Sequence, residues 1–262
     1  MAFNDCQLVE DQALSRIIFL LVAGMCIVAS APSEAQVSLC ADCHFANPQA
    51  DPDPNHLQDW DRSAHGRNQV GCEGCHEGNA ATAESFLAHQ GVLTSRNPSS
   101  PVHRTNLPRT CGACHTGAFV AFQKSRHHEL LGQGSGDGPT CSTCHGSVGA
   151  DLLSPRRLEQ QCSSCHGADG VYPQPDVALQ GRLLLEEVTL VRELLRQSAG
   201  LIERVEDPTR RQQLEYDYEQ AQVPLTEAVQ AAHAFVFDQM KERLTTARER
   251  SIVLLNDLAN PN

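Results

Sequence analysis

The chain has no lysine- or arginine-rich run, and its formal net charge is −12 over 262 residues. An acidic surface of that kind repels phosphate, which excludes nucleic acid as a partner. Long apolar runs are missing too. The stretch from Ile17 to Ala29 is thirteen residues, the length of a secretory h-region and short for a membrane span. No alternation of strands and helices marks a βαβ unit. Between Gln36 and Gln180 apolar periodicity is poor, so an ordinary core of long helices or strands is not expected there. Taken without a cofactor, such a stretch reads as loop or disorder. Methionine is scarce, with only Met1, Met25 and Met240. Cysteine stops at Cys165, and Cys6 and Cys26 are the only ones outside a repeated pattern.

That pattern occurs five times: Cys40-Ala41-Asp42-Cys43-His44, Cys72-Glu73-Gly74-Cys75-His76, Cys111-Gly112-Ala113-Cys114-His115, Cys141-Ser142-Thr143-Cys144-His145 and Cys162-Ser163-Ser164-Cys165-His166. Each is C-x-x-C-H, the attachment signature of a c-type haem. Two thiols at this spacing can form thioethers to the two vinyl groups on one porphyrin edge. The histidine that follows can fold over the ring and give its imidazole to the iron. A zinc reading would pair the motifs and would not need a histidine after every second cysteine. A redox dithiol would expect a single motif inside a βαβ pattern. The count therefore predicts five covalent haems c, with His44, His76, His115, His145 and His166 as proximal ligands.

Residues 1–35 read as a signal peptide, with Arg16 before the apolar run and Ser33-Glu34-Ala35 placing cleavage before Gln36. The segment before the run carries Asp5, Glu10 and Asp11, unlike a basic n-region, which leaves a retained N-terminal anchor as the alternative. Removing the leader removes Cys6 and Cys26, so no thiol is left for a disulfide or a nucleophile. Covalent haem implies export, and hence a periplasmic product or one anchored to the membrane and facing the periplasm.

Residues 36–180 form the predicted pentahaem domain, mainly helical with much irregular chain wrapped around the haems. Short intervals between motifs crowd the rings, as an electron relay needs. Seven histidines remain as sixth ligands: His56, His65, His89, His103, His127, His128 and His233. With Met240 the only methionine after the leader, bis-histidine ligation is the default, and it implies low reduction potentials. Two of the seven share a context. Trp60-Asp61-Arg62-Ser63-Ala64-His65 and Phe122-Gln123-Lys124-Ser125-Arg126-His127 are both aromatic-x-x-Ser-x-His, shortly before a haem motif.

This repeat resembles the multihaem cytochromes c related to pentahaem nitrite reductase, hydroxylamine oxidoreductase and their smaller electron-transfer partners. In that group a histidine in a Ser-x-His setting commonly supplies a distal ligand, so the resemblance implies that role for His65 and His127. The stretch from Cys72 to His115, with His89-Gln90-Gly91-Val92 and Ser99-Ser100-Pro101-Val102 between the motifs, is similar to the same group and implies it for His89. His103, in a proline-bounded extended piece, is the next candidate, and His56 and His128 rank below it. The sequence departs from the nitrite reductases in having no C-x-x-C-K motif. It departs from hydroxylamine oxidoreductase in haem number, and Tyr172 is the one tyrosine in the haem region.

Residues 181–262 change to Leu, Glu, Arg, Gln and Ala. Leu184, Val188, Val191, Leu195, Ser198, Ile202 and Val205 alternate steps of four and three, a heptad seam on a long helix. Asp207-Pro208 reads as an N-cap with proline at the first helical position. Pro224 should kink or restart the next helix. Leu225, Val229, Ala232, Val236, Met240, Leu244 and Ala247 then continue a second stripe. The expectation is an antiparallel helical hairpin that packs on itself, docks on the haem region or forms a homo-oligomer. The resemblance implies such a tail as well. His233, beside this stripe, is a candidate ligand for an iron with no local histidine, set against a packing-only role.

The leading functional expectation is an electron carrier between redox proteins, such as a membrane quinol dehydrogenase, another cytochrome or a terminal reductase. One alternative is an oxidoreductase acting on a small nitrogen or sulfur compound. It would leave one iron open, with the fifth motif the best candidate, since no histidine follows the last two motifs within the haem region. The other is an anchored subunit of a membrane respiratory complex, which shares the electron-transfer chemistry.

Overall fold

The computed structural model describes residues 38–47, 55–134, 136, 138–149 and 153–259. The chain divides into two units, Met1–Gln36 and Val37–Asn262, and everything described belongs to the second. The expected leader and its cleavage point lie outside the described residues. Among those residues there are thirteen helices and no strand, and no helix is long and apolar enough to cross a membrane.

Ten of the helices are short and belong to the haem region. They are α1 (Leu39–Ala46), α2 (His56–Arg62), α3 (Ala64–Arg67), α4 (Glu73–His76), α5 (Ser85–Ala88), α6 (Leu107–Gly112), α7 (Thr116–Phe122), α8 (Arg126–Gly132), α9 (Cys141–His145) and α10 (Pro155–His166). Few apolar side chains are buried along them: Ala41, Leu57, Ala121, Phe122 and Leu131. Helices this short are marginal on propensity alone. Local capping holds several of them. Glu84 caps α5 through its carboxylate, and Thr140 and Thr143 make a reciprocal capping box at the start of α9.

The C-terminal part has a protein core of its own. It consists of α11 (Pro175–Ile202), α12 (Pro208–His233) and α13 (Phe237–Ala259), each packed on the other two. Helix α11 starts at Pro175, ahead of the expected Gly181, with the proline at a position where its missing N–H costs nothing. Leu184, Val188, Val191, Leu195, Ser198 and Ile202 are all buried, so the heptad seam faces the bundle. Asp207 caps α12 as expected, accepting from the Thr209 and Arg210 N–H groups at 2.8 and 3.0 Å.

The hairpin of α11 and α12 is present, and a second turn extends it with a third helix. The break falls at Ala234–Val236 and not at Pro224, which lies inside α12. A proline there removes the hydrogen bond that its nitrogen would have made to the carbonyl of Gln220. Arg250 of α13 supplies the substitute, donating from Nη1 to Gln220 O at 2.6 Å. The actual turn is a Schellman motif: Val236 N donates to Ala231 O at 3.0 Å and Phe235 N to Ala232 O at 3.1 Å. Phe235 occupies the left-handed position, φ 58°, where glycine usually stands. Val236, placed in the second stripe by its spacing, is exposed because this turn throws it off the helix.

Candidate haem-binding site

Each motif histidine faces one imidazole from outside the motifs. Ring centroids are 6.1 Å apart for His44 and His89, 5.8 Å for His76 and His56, and 6.0 Å for His115 and His65. They are 5.9 Å apart for His166 and His127 and 6.2 Å for His145 and His233. No residue is used twice. The rings are too far apart to touch through their faces, and the spacing is nearly constant. An imidazole nitrogen binds a first-row transition metal at about 2.0 Å, so two rings on opposite sides of one ion have centroids roughly 6 Å apart. The pairs therefore fit a six-coordinate haem iron held from both faces.

The local chain fixes how several of these rings point. His89 Nδ1 donates to Ser85 O at 2.7 Å, His233 Nδ1 to Val229 O at 2.7 Å and His166 Nδ1 to Tyr172 O at 2.9 Å. A carbonyl can only accept, so the proton sits on Nδ1 and Nε2 is left free for a metal. Burial pushes the pKa of His127 down, with the His166 ring adding to the effect. Burial does the same to His145, followed by the His233 and His115 rings. Both histidines are thus biased to the neutral form that ligation requires.

The repeated aromatic-x-x-Ser-x-His sequence is a repeated structural device. Ser63 Oγ donates to Trp60 O at 2.7 Å and accepts from Gly66 N at 3.1 Å, which starts α3 under His65. Ser125 Oγ donates to Phe122 O at 2.7 Å and accepts from His128 N at 3.1 Å, which starts α8 under His127. Both serines are buried. In each case a capped first turn carries the histidine, so its direction is set by backbone hydrogen bonds.

None of the ten motif cysteines is paired in a disulfide. Burial pushes Cys72 up to about 11, with Cys40 and Glu73 adding, and burial with Cys162 pushes Cys144 up to about 11. A hydrogen bond between the Cys111 and Cys141 thiols raises the pKa of the first and lowers that of the second. Among the described residues no group of three or more His, Cys, Asp or Glu side chains converges as a metal cage, which a four-ligand zinc site would require.

The geometry departs from the sequence reading at one ligand. His103, expected among the sixth ligands, is in none of the five pairs. Its Nδ1 lies 2.8 Å from Thr105 Oγ1 in the turn before α6. The partner of His76 is instead His56, the first residue of α2. A Ser-x-His context did not mark it; its place at a helix start just before a motif was the available signal. His128 packs edge-on against Phe122, 5.4 Å between centroids, and also stands outside the pairs. His166 of the fifth motif, the best candidate for an open iron under the enzyme alternative, faces His127.

Residues 96–167 match the family described as cytochrome c7 and related cytochrome c. A segment of the chain is thus similar to a multihaem c-type cytochrome domain. The matched segment contains the third, fourth and fifth motifs of this chain, together with His127. The chain is also 28% identical over 117 residues to the C-type polyheme cytochrome OmcC of Geobacter sulfurreducens, covering 42% of this chain and 14% of that protein. It thus spans about a seventh of that relative's length. No solved structure matches the chain.

Proposed function

We propose that the chain binds five haems c, each held between two histidines, and relays electrons between redox protein partners. The observation that carries this reading is the set of five separate imidazole pairs, each joining a motif histidine to one outside the motifs. An enzyme with an open iron would leave one motif histidine without a facing ring, and none of the five is left so. Bound haem supplies reversible one-electron chemistry; the chain's own residues hold the groups, choose the axial ligands and set the environment of each.

The pairs also stand in sequence order. Ser38 Oγ donates to the Glu73 carboxylate at 2.8 Å and Leu39 N to Ala80 O at 3.0 Å, which brings the first motif beside the second. His56 and His65 sit on the adjoining helices α2 and α3, so the second pair neighbours the third. Helix α6 packs on α9 through the Cys111 and Cys141 thiols, and α9 packs on α10. A file of this kind gives electrons one route, from the first motif to the fifth or back.

Export to the periplasm belongs to the same proposal, since covalent haem attachment and the apolar segment Ile17–Ala29 both support it. So do partners of the kind named above and a kinship with the nitrite reductase and hydroxylamine oxidoreductase group, which the two serine-capped histidines support. The test is electron paramagnetic resonance on the purified ferric protein. Five low-spin haems and no high-spin signal are expected; a full equivalent of high-spin iron in the mature protein would favour the enzyme.

A further inference from the structure

We propose that Phe235 is a positioning residue for the fifth haem site, its ring face taking the place of the carbonyl that receives the Nδ1–H of other ligand histidines. The proposal rests on the reading of His127 and His166 as an axial pair. In His89, His166 and His233 the Nδ1–H has a backbone carbonyl at 2.7 to 2.9 Å. His127 has none: its Nδ1 is buried and without a hydrogen-bond partner. Because that nitrogen is sealed inside protein, it does not lie on the side open to a cofactor, and Nε2 is left to face His166.

What does meet the imidazole is Phe235. The two rings are 4.1 Å apart at centroids with planes 82° to each other. At that angle one ring presents its edge to the other's face, and at so short a separation the smaller imidazole is the one whose edge fits. An N–H directed at an aromatic face is a weak but real hydrogen bond. Phe122, buried below, stands 6.4 Å from Phe235 and helps hold the ring.

The backbone gives the second, independent observation. Phe235 sits at φ 58° in the Schellman turn, a conformation that glycine adopts freely and a residue with a Cβ does not. Strain of this kind persists where the side chain is needed. Two residues earlier, His233 faces His145. One turn between α12 and α13 therefore serves two neighbouring sites, giving a ligand to one and orienting the ligand of the other.

The test uses the holoprotein with Phe235→Leu, Phe235→Tyr and Phe235→Gly. Leu keeps bulk and loses the acceptor face. The g-values of one low-spin haem and its midpoint potential should shift upward in potential while the other four stay put, because an imidazole with a weaker N–H partner is a poorer donor. Tyr keeps the face and should restore the wild-type values. Gly relieves the backbone strain and admits water to Nδ1, a stronger acceptor, so the same haem should shift downward in potential. Wild-type spectra and potentials in both Leu and Gly variants would overturn the proposal, as would a Tyr variant shifted as far as Leu. A protein whose His127→Ala variant opens no iron would instead overturn the axial pair itself, which separates the two failures.

Discussion

His145 and His233 face each other with ring planes only 4° from parallel, 6.2 Å between centroids. The other four pairs are tilted by 55° to 62°. Parallel and tilted axial imidazoles give ferric low-spin signals of different anisotropy, so one haem of the set should be spectroscopically distinct. Replacing His233 with alanine should abolish that signal and create one high-spin haem. The Val229 carbonyl that orients His233 belongs to the same helix, so the change need not disturb the fold. A variant that keeps all its low-spin haems would show that His233 only packs.

His56 and His103 make a paired test. The structure sets His56 against His76 and leaves His103 in a turn with Thr105. His56→Ala should therefore open one iron, seen as a high-spin signal and as new binding of an added ligand such as imidazole. His103→Ala should leave the spectrum unchanged. The reverse result would return the sixth ligand to the residue that its sequence position suggested.

Sequence spacing showed the motif histidines directly, because C-x-x-C-H needs nothing beyond local geometry. Among the distal candidates, a local device accompanied two, as Ser63 does His65 and Ser125 does His127, while His89 rested on resemblance and His233 on the count of ligands. His56 has no such capping serine, and its pairing with His76, further along the chain, is a tertiary fact. His233 lies far from His145 in sequence, so only the fold joins them. In the tail, the heptad seam of α11 and the Asp207 cap were both readable. The third helix was not, because the chain turns at a strained phenylalanine where a glycine would have signalled a stop, and Pro224 advertised a break that does not occur there.

Arg250 carries a quantitative prediction. Without it, the Gln220 carbonyl loses its protein donor, and an exposed hydrogen bond of this kind contributes about 0.5–1.5 kcal/mol. Arg250→Met keeps most of the apolar stem and should lower stability by that amount. Pro224→Ala restores a backbone N–H at the position that reaches Gln220. In a double-mutant cycle, Arg250→Met should then cost markedly less on the Pro224→Ala background. Equal costs on both backgrounds, measured by denaturant unfolding, would mean that the arginine acts elsewhere.

The last prediction concerns protein without haem. Of the buried apolar side chains among the described residues, five lie between Ala41 and Leu131, and sixteen lie between Ala178 and Leu254. The larger cluster, including Val191, Leu244 and Ala247, belongs to α11, α12 and α13, with Leu158 of α10 packed at its margin. Among the described residues the haem region has no equivalent cluster, so its short helices are expected to need bound haem for their apolar contacts. Chain expressed without cytochrome c maturation should keep the helical signal of the bundle and lose that of α1 to α9. Its amide protons from residues 175–259 should stay protected against hydrogen exchange while those from 38–149 exchange freely. Leu244→Ala, at a fully buried position, should cost about 2–5 kcal/mol in both the haem-free and the haem-loaded protein. A haem-free chain in which both regions are protected would mean that the haem region carries its own core.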